Sequence, residues 1–340
     1  MKNVTIKDVA QKAGVSIATV SRVINENPAV APEIVQKVLS SIKEMGYIPN
    51  QIARSLKMSA SRSIGFIIAD IRTDYFAQIS SSIDAVLRQS GYSLIVCSAV
   101  NDYRNEYDYI RLLMEKQVDG IIINTTGHND EFISKISANI PFVFLHRKLN
   151  SPTFCGDWID TDIYSSAYEL TKKMIENGHR EIGIVSGPLF LSTGQMRYNG
   201  YARAMAEINR EVKPGHPLFF EGPFSVETGI EGARFFWDRP PEKRPTAIAF
   251  MHSETTIGAM RYYRSHNIQI PDDISFITVG SIANSDLMYV RPYQYIMHPD
   301  SIGRRTAELI LERIAERNQL PNREVFLSMP ILPGNTVKKL

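Results

Sequence analysis

The stretch from Val4 to Asn25 constrains this chain more than any other, because it reads as two short amphipathic helices that cannot stand alone. Thr5 is placed to cap the first, Asp8 answers it as in a capping box, and Ile6, Val9, Ala10 and Ala13 share one face at helical spacing. Gly14 supplies the stop. Ser16 then caps a second helix that turns Val20, Val23 and Ile24 inward and leaves Ile17, Ala18, Ser21 and Arg22 outward. A third helix follows, with Pro32 in its first turn, Ile34, Val35, Val38, Leu39 and Ile42 as its apolar stripe, and Gly46 as its stop. Helices this short must bury their faces against one another, and two of them joined by a glycine turn form the helix-turn-helix pattern.

Charge separates this bundle from an ordinary small helical module. Residues 1–62 carry nine Lys and Arg against four Asp and Glu, a net of +5, while the remaining residues carry 29 against 32, a net of −3. A basic N-terminal module on a slightly acidic body is the electrostatic footprint of binding to a phosphate backbone.

The runs Val4-Thr-Ile-Lys-Asp-Val-Ala, Ala13-Gly-Val-Ser and Thr19-Val-Ser-Arg-Val-Ile-Asn25, followed by Gly46-Tyr-Ile-Pro-Asn50 and Ala53-Arg-Ser-Leu56, resemble the lac repressor/galactose repressor family of bacterial transcription factors. The resemblance extends over essentially the whole chain. It implies a sequence-specific DNA-binding regulator, most readily a repressor of carbohydrate or sugar-acid catabolic genes, whose fold joins an all-α headpiece to an α/β core of two doubly wound parallel-sheet lobes like those of periplasmic binding proteins. The expected divisions are a helix-turn-helix domain over 1–49, a hinge helix and linker over 50–62, and an effector-binding and dimerisation domain over 63–340.

The body is consistent with that expectation. Beyond the polar linker Ser59-Ala-Ser-Arg-Ser63, apolar runs alternate with amphipathic stretches. The runs Ile64–Ala69, Leu94–Ser98, Gly120–Asn124, Pro141–Leu145, Ile182–Ser186, Ala247–Phe250 and Ile274–Val279 suit strands of a parallel sheet covered on both faces. Helices are expected over Tyr75–Gln89, Glu106–Lys116, Ser165–Glu176, Gln195–Ile208 and Thr255–His266, with ligand-binding loops at the strand ends. By resemblance, the first lobe would hold 63–160 and a return near 293–322, and the second lobe the rest.

Length and composition exclude several alternatives. At 340 residues and 44% hydrophobic the chain can bury a large core in two or three units. It has no apolar run of membrane-spanning length and no apolar leader, so it is expected to be cytoplasmic. Cys97 and Cys155 lack metal or redox spacing and are expected as buried, reduced thiols. No Walker A, GxGxxG, HExxH or GxSxG motif is present, so neither an enzyme nor a cofactor or metal is expected. A sugar-binding protein on the same core would need no basic head.

In a helix-turn-helix head the N-terminal part of the second helix lies in the major groove. Ile17, Ala18, Ser21 and Arg22 are therefore the candidates for base edges. Arg22 can pair with guanine O6 and N7, while Ile17 and Ala18 read only by apolar contact or exclusion and would set operator preference. Thr5, Ser16, Thr19, Ser21 and Asn25 offer short polar groups for phosphates, though Thr5 and Ser16 serve equally as helix caps. The segment from Asn50 to Lys57 is too short for an isolated helix and is expected to order on DNA. The resemblance implies that a pair of such hinges in a homodimer enters the minor groove of a near-palindromic operator, with Asn50, Ala53 and Leu56 at the DNA and Leu56 wedged into a base step. The other reading of Leu56 is an apolar contact with Ile52. The C-terminal tail has no leucine heptads, so no tetramer is expected by that route.

The expected effector site departs from the family. Where sugar-binding members usually place an acid after the fourth apolar run, this chain has His146 and Arg147. Their usual Asn-Asp pair becomes His252-Ser253, and their Gly-Tyr-Asp becomes Gly280-Ser281-Ile282. Arg197 and Asp160 keep family positions, although the usual Asn beside the latter is Thr161. Exchanging carboxylates for His146, Arg147 and His252 while keeping Arg197 shifts the expected cleft toward positive charge, and so toward an anionic effector such as a sugar acid or sugar phosphate anchored on Arg197. The alternative is a vestigial pocket in a regulator controlled by a protein partner.

Overall fold

The computed structural model describes residues 4–24, 27–47, 61–149, 151 and 153–340. The chain divides into two compact units, Met1–Arg62 and Ser63–Leu340. Asn25, Asn50, Ala53 and Leu56 lie outside the described residues.

In the first unit, α1 (Ile6–Ala13) opens with the capping box: the Thr5 backbone N–H donates to Asp8 Oδ2 at 2.7 Å, and the Asp8 N–H donates to Thr5 Oγ1 at 3.4 Å. Gly14 closes it at φ 65°, a left-handed position that costs glycine nothing. After α2 (Ile17–Ile24) and α3 (Pro32–Met45), Val9, Ala10, Ala13, Val20, Val23 and Val38 are buried together. Leu39, expected in the core, is instead 50% exposed and lines a surface groove with Val23, Val35 and Ile42. Three short helices cannot cover a stripe as broad as the one α3 carries.

The second unit holds two six-stranded sheets. The first combines β1 (Ser63–Ile68), β2 (Ser93–Ser98), β3 (Gly120–Ile123), β4 (Phe142–Leu145), β5 (Asp157–Thr161) and β11 (Glu324–Leu327), in the order β11-β5-β4-β3-β1-β2 and parallel throughout. The second combines β6 (Ile182–Ser186), β7 (Phe219–Glu221), β8 (Ala247–Phe250), β9 (Ser275–Thr278), β10 (Tyr293–Tyr295) and β12 (Ile331–Leu332), in the order β12-β10-β9-β8-β6-β7, with only β12 antiparallel. β1, β3, β4, β6, β8 and β9 are apolar because helices cover both faces of each sheet.

Around the first sheet lie α4 (Asp74–Gln89), α5 (Tyr103–Glu115), α6 (Asp130–Ser137) and α11 (Pro299–Ala315); around the second lie α7 (Ile163–Glu176), α8 (Ser192–Ala206), α9 (Val226–Trp237) and α10 (Ser253–Ser265). The chain passes between lobes after β5, before α11 and after β11. The return expected near 293–322 is therefore displaced: β10 belongs to the second sheet, and the first sheet claims β11 beyond residue 322. Parallel pairing with β5 supplies β11 with ladder partners that only the folded first lobe offers. Cys97 is buried, but Cys155 is only partly so, lying 3.8 Å from Arg313 Nη1; both are free thiols. Among the described residues no helix is long and apolar enough to cross a membrane.

Candidate functional site

In the head, α2 is buried on one side and open on the other. Val20 and Val23 seal its inner face, whereas Ile17, 44% exposed, stands on the outer face with Ala18 and Arg22 also exposed and Ser21 part-buried. Ser16 Oγ accepts the Thr19 N–H at 3.1 Å and lies 2.9 Å from Thr19 Oγ1, so both hydroxyls serve the helix start, as the Thr5 hydroxyl serves α1. Arg22 is the exposed cation on the outer face of α2 and stands one turn along from Ala18.

In the body, the candidate effector residues converge where the carboxyl ends of strands from both sheets face each other. His146 follows β4, Asp160 ends β5, His252 caps α10 after β8, and Arg197 lies in the first turns of α8 after β6. His146 sits at φ 62°, a conformation that costs a non-glycine residue about 1 kcal/mol or more. It is held there by both ring nitrogens, Nδ1 at 2.7 Å from Asp160 Oδ1 and Nε2 at 3.0 Å from the Tyr75 hydroxyl. Arg147 is turned into its own lobe, donating from Nη1 to the Thr125 carbonyl at 2.9 Å and from Nη2 to Asn101 Oδ1 at 3.2 Å. The buried Glu106 carboxylate supports that charge.

Arg197 is different. Its guanidinium lies over the Phe224 ring, 5.1 Å from the centroid, and its best protein contact is a long 3.5 Å bond to the Thr193 carbonyl. Phe224 in turn stacks on His252, with centroids 4.7 Å apart, and presses so closely on Gly187 that a Cβ there would lie 2.0 Å from the ring. Burial lowers the Arg197 and Arg147 pKa values to about 10, so both remain charged at neutral pH. His252 is pushed down to about 3 by burial and then by Arg197, Arg147 and His146, and is neutral. Its Nδ1 accepts the Glu254 N–H at 3.2 Å, which leaves the proton on Nε2.

Three buried polar atoms in this neighbourhood lack a hydrogen-bond partner: Asp160 Oδ2, Thr193 Oγ1 and Arg197 Nε. Buried polar groups are rarely left so. The start of α8 and the loop before it also touch the opposite lobe: Ser192 Oγ accepts the Lys148 N–H at 2.9 Å, and Phe190 packs edge-on against His128 with centroids 5.1 Å apart. Tyr75, Thr193 and Phe224 join the site without having been expected there. Tyr75 offers the signal of an aromatic at the helix start after the first strand, whereas Phe224 follows β7, too short a strand to recognise. Among the described residues no cluster of His, Cys, Asp or Glu could hold a metal.

Comparison with known proteins accounts for both units. Residues 5–50 match the profile of bacterial regulatory proteins of the lacI family, and residues 61–327 that of periplasmic binding proteins and the sugar-binding domain of the LacI family. The HTH-type transcriptional repressor PurR of Vibrio campbellii is 34% identical over 341 residues, covering 99% of each chain. PurR of Haemophilus influenzae is 34% identical over 318 residues, covering 93% of this chain and 92% of that protein. The fold is similar to that of the lac repressor dimer bound to operator and the anti-inducer ONPF, with a TM-score of 0.85, 22% identity and coverage of 99% of this chain and 100% of that one. The chain belongs to the LacI family of DNA-binding transcriptional repressors.

Proposed function

We propose that the protein binds a near-palindromic operator as a homodimer and that a small anionic effector, held between the core lobes, sets its affinity for DNA. The observation that carries the DNA reading is the outer face of α2, where Ile17, Ala18 and Arg22 stand exposed over a sealed Val20–Val23 face in the basic head. Arg22 reads a guanine edge, Ile17 and Ala18 select by shape, Ser16, Thr19 and Asn25 hold phosphates, and the hinge residues Asn50, Ala53 and Leu56 act in the minor groove. Membership of the family, and a fold shared with a lac repressor that sits on its operator as a dimer, support the two-fold arrangement.

Asp160 and His146 belong to the first lobe, and Arg197 and His252 to the second, so a ligand touching both sets changes how the lobes close. Closure then shifts the equilibrium between DNA-bound and free dimers through the ligand's differential affinity. The genes governed are those for breakdown of the compound sensed, a carbohydrate or sugar acid on this reading. Fluorescence anisotropy on a selected operator tests it: an effector should shift the wild-type curve, and Arg197→Gln should retain DNA binding while losing the response. An effector response undiminished in Arg197→Gln refutes the assignment of the cleft.

A further inference from the structure

The cleft's unsatisfied atoms narrow what can occupy it, given that it is the effector site. Of the four cationic or basic residues gathered there, two are already committed and a third is uncharged. Both His146 nitrogens are engaged, the two Arg147 Nη groups serve Thr125 and Asn101 beside Glu106, and His252 is an uncharged donor. The charged groups that remain are one guanidinium and one carboxylate oxygen. Arg197, 7% exposed, has an unpartnered Nε, and Asp160, fully buried, has an unpartnered Oδ2. Arg197 senses the Asp160 charge, yet the two belong to different lobes. Thr193 Oγ1, also buried and unpartnered, can give or accept a hydrogen bond beside Arg197.

We infer that the effector is a small monocarboxylate carrying a hydrogen-bond donor, hydroxyl or ammonium, beside its anionic group, and that it joins Arg197 of the second lobe to Asp160 of the first. A carboxylate answers the fork of Arg197 in bidentate fashion. The neighbouring donor answers Asp160 Oδ2, which can only accept while ionised. A phosphate ester brings two negative charges to a single free guanidinium and sets one of them near the Asp160 carboxylate, a like-charge approach that buried sites penalise. A neutral sugar leaves the buried guanidinium without a counter-charge. The ligand's two functions lie on opposite lobes' anchors, so only a molecule with both draws the lobes together.

Calorimetric titration of the full-length protein with four panels tests this: hydroxy and amino monocarboxylates, phosphate esters of hydroxy acids and sugars, neutral sugars, and neutral heteroaromatic bases. Binding is expected in the first panel, gluconate-like and serine-like members distinguishing a hydroxyl from an ammonium donor. Its best member should bind at least about tenfold more tightly than the same acid lacking the donor, the scale of one hydrogen bond to a charged group. Asp160→Asn should reduce that preference to within about threefold while Arg197→Gln weakens both acids alike. The wild-type comparison of paired ligands needs no variant to fold. Tighter binding of phosphate esters, neutral sugars or bases overturns this inference while leaving the cleft an effector site. Absence of heat with all four panels, from protein that still binds DNA, overturns the effector site itself.

Discussion

Arg313→Met should destabilise the core unit by about 3 kcal/mol, toward the low end of the 3–5 kcal/mol typical when one partner of a buried ion pair is removed. Arg313 is fully buried in α11 and its Nη2 donates to Asp157 Oδ1 at 2.9 Å and to the Pro321 carbonyl at 2.9 Å. Nη1 adds Asn318 Oδ1 at 3.0 Å and the Leu320 carbonyl at 3.3 Å, so one guanidinium ties the 318–321 turn to β5 just before the chain enters β11. Methionine of similar length fills the space but leaves these acceptors and a buried carboxylate short of a donor. Asp157 keeps Arg323 at 2.6 Å, which holds the loss at the low end, and Arg313 Nε has no partner to lose. At roughly 2–4 °C per kcal/mol for a unit of this size, the melting transition should fall by about 6–12 °C. Calorimetry of the wild type and variant, with urea midpoints as a second measure, reads this directly. A fall of less than about 2 °C would show that the pair does not secure the turn that leads into β11.

Arg22→Ala should lose about 1–3 kcal/mol of discrimination at one guanine in each half-site and little elsewhere, read by competition with single-base operator variants; uniform weakening across all variants would demote Arg22 to a phosphate contact. Tyr289, 99% exposed, and Leu287, 79% exposed, form an apolar tip on the second lobe. Tyr289→Asp should yield monomer by light scattering at concentrations where the wild type is dimeric, and a persistent dimer would place the interface elsewhere. His252 binds its proton less readily folded than unfolded, because its folded value lies at about 3 rather than the ordinary 6.5. Stability should accordingly decline as pH falls below about 6.5, and less steeply in His252→Asn, which keeps a cap for α10. Equal slopes for the two proteins would mean that the ring is charged in the fold.

Elements whose signals are local were legible in the sequence, and those held by distant partners were not. β1, β3, β4, β6, β8 and β9 announced themselves as apolar runs because both faces are covered. β5 did not: Asp157-Trp-Ile-Asp-Thr looks polar, yet every residue is buried, since Asp157 meets Arg313 and Arg323 and Asp160 meets His146 from remote parts of the chain. α9 escaped because Gly229 and Gly232 weaken a helical pattern. In the structure Gly229 permits close crossing with α10, where a Cβ would stand 1.9 Å from the Thr255 carbonyl oxygen. At the cleft, the residues drawn from family positions do converge, but their charges could not be read from identity alone. Whether Arg147 faces a ligand or Glu106 depends on Asn101, Thr125 and the fold of three separate loops.

Selection of bound sequences from random duplex DNA by the purified full-length protein tests the proposed role most directly, run beside Leu56→Ala and Arg22→Ala. A near-palindromic site with a deformable central step should emerge, with binding weakened by Leu56→Ala and relaxed at one guanine by Arg22→Ala. A folded dimer that enriches no sequence, with the cleft's ligand supplied or withheld, would contradict operator recognition by this head.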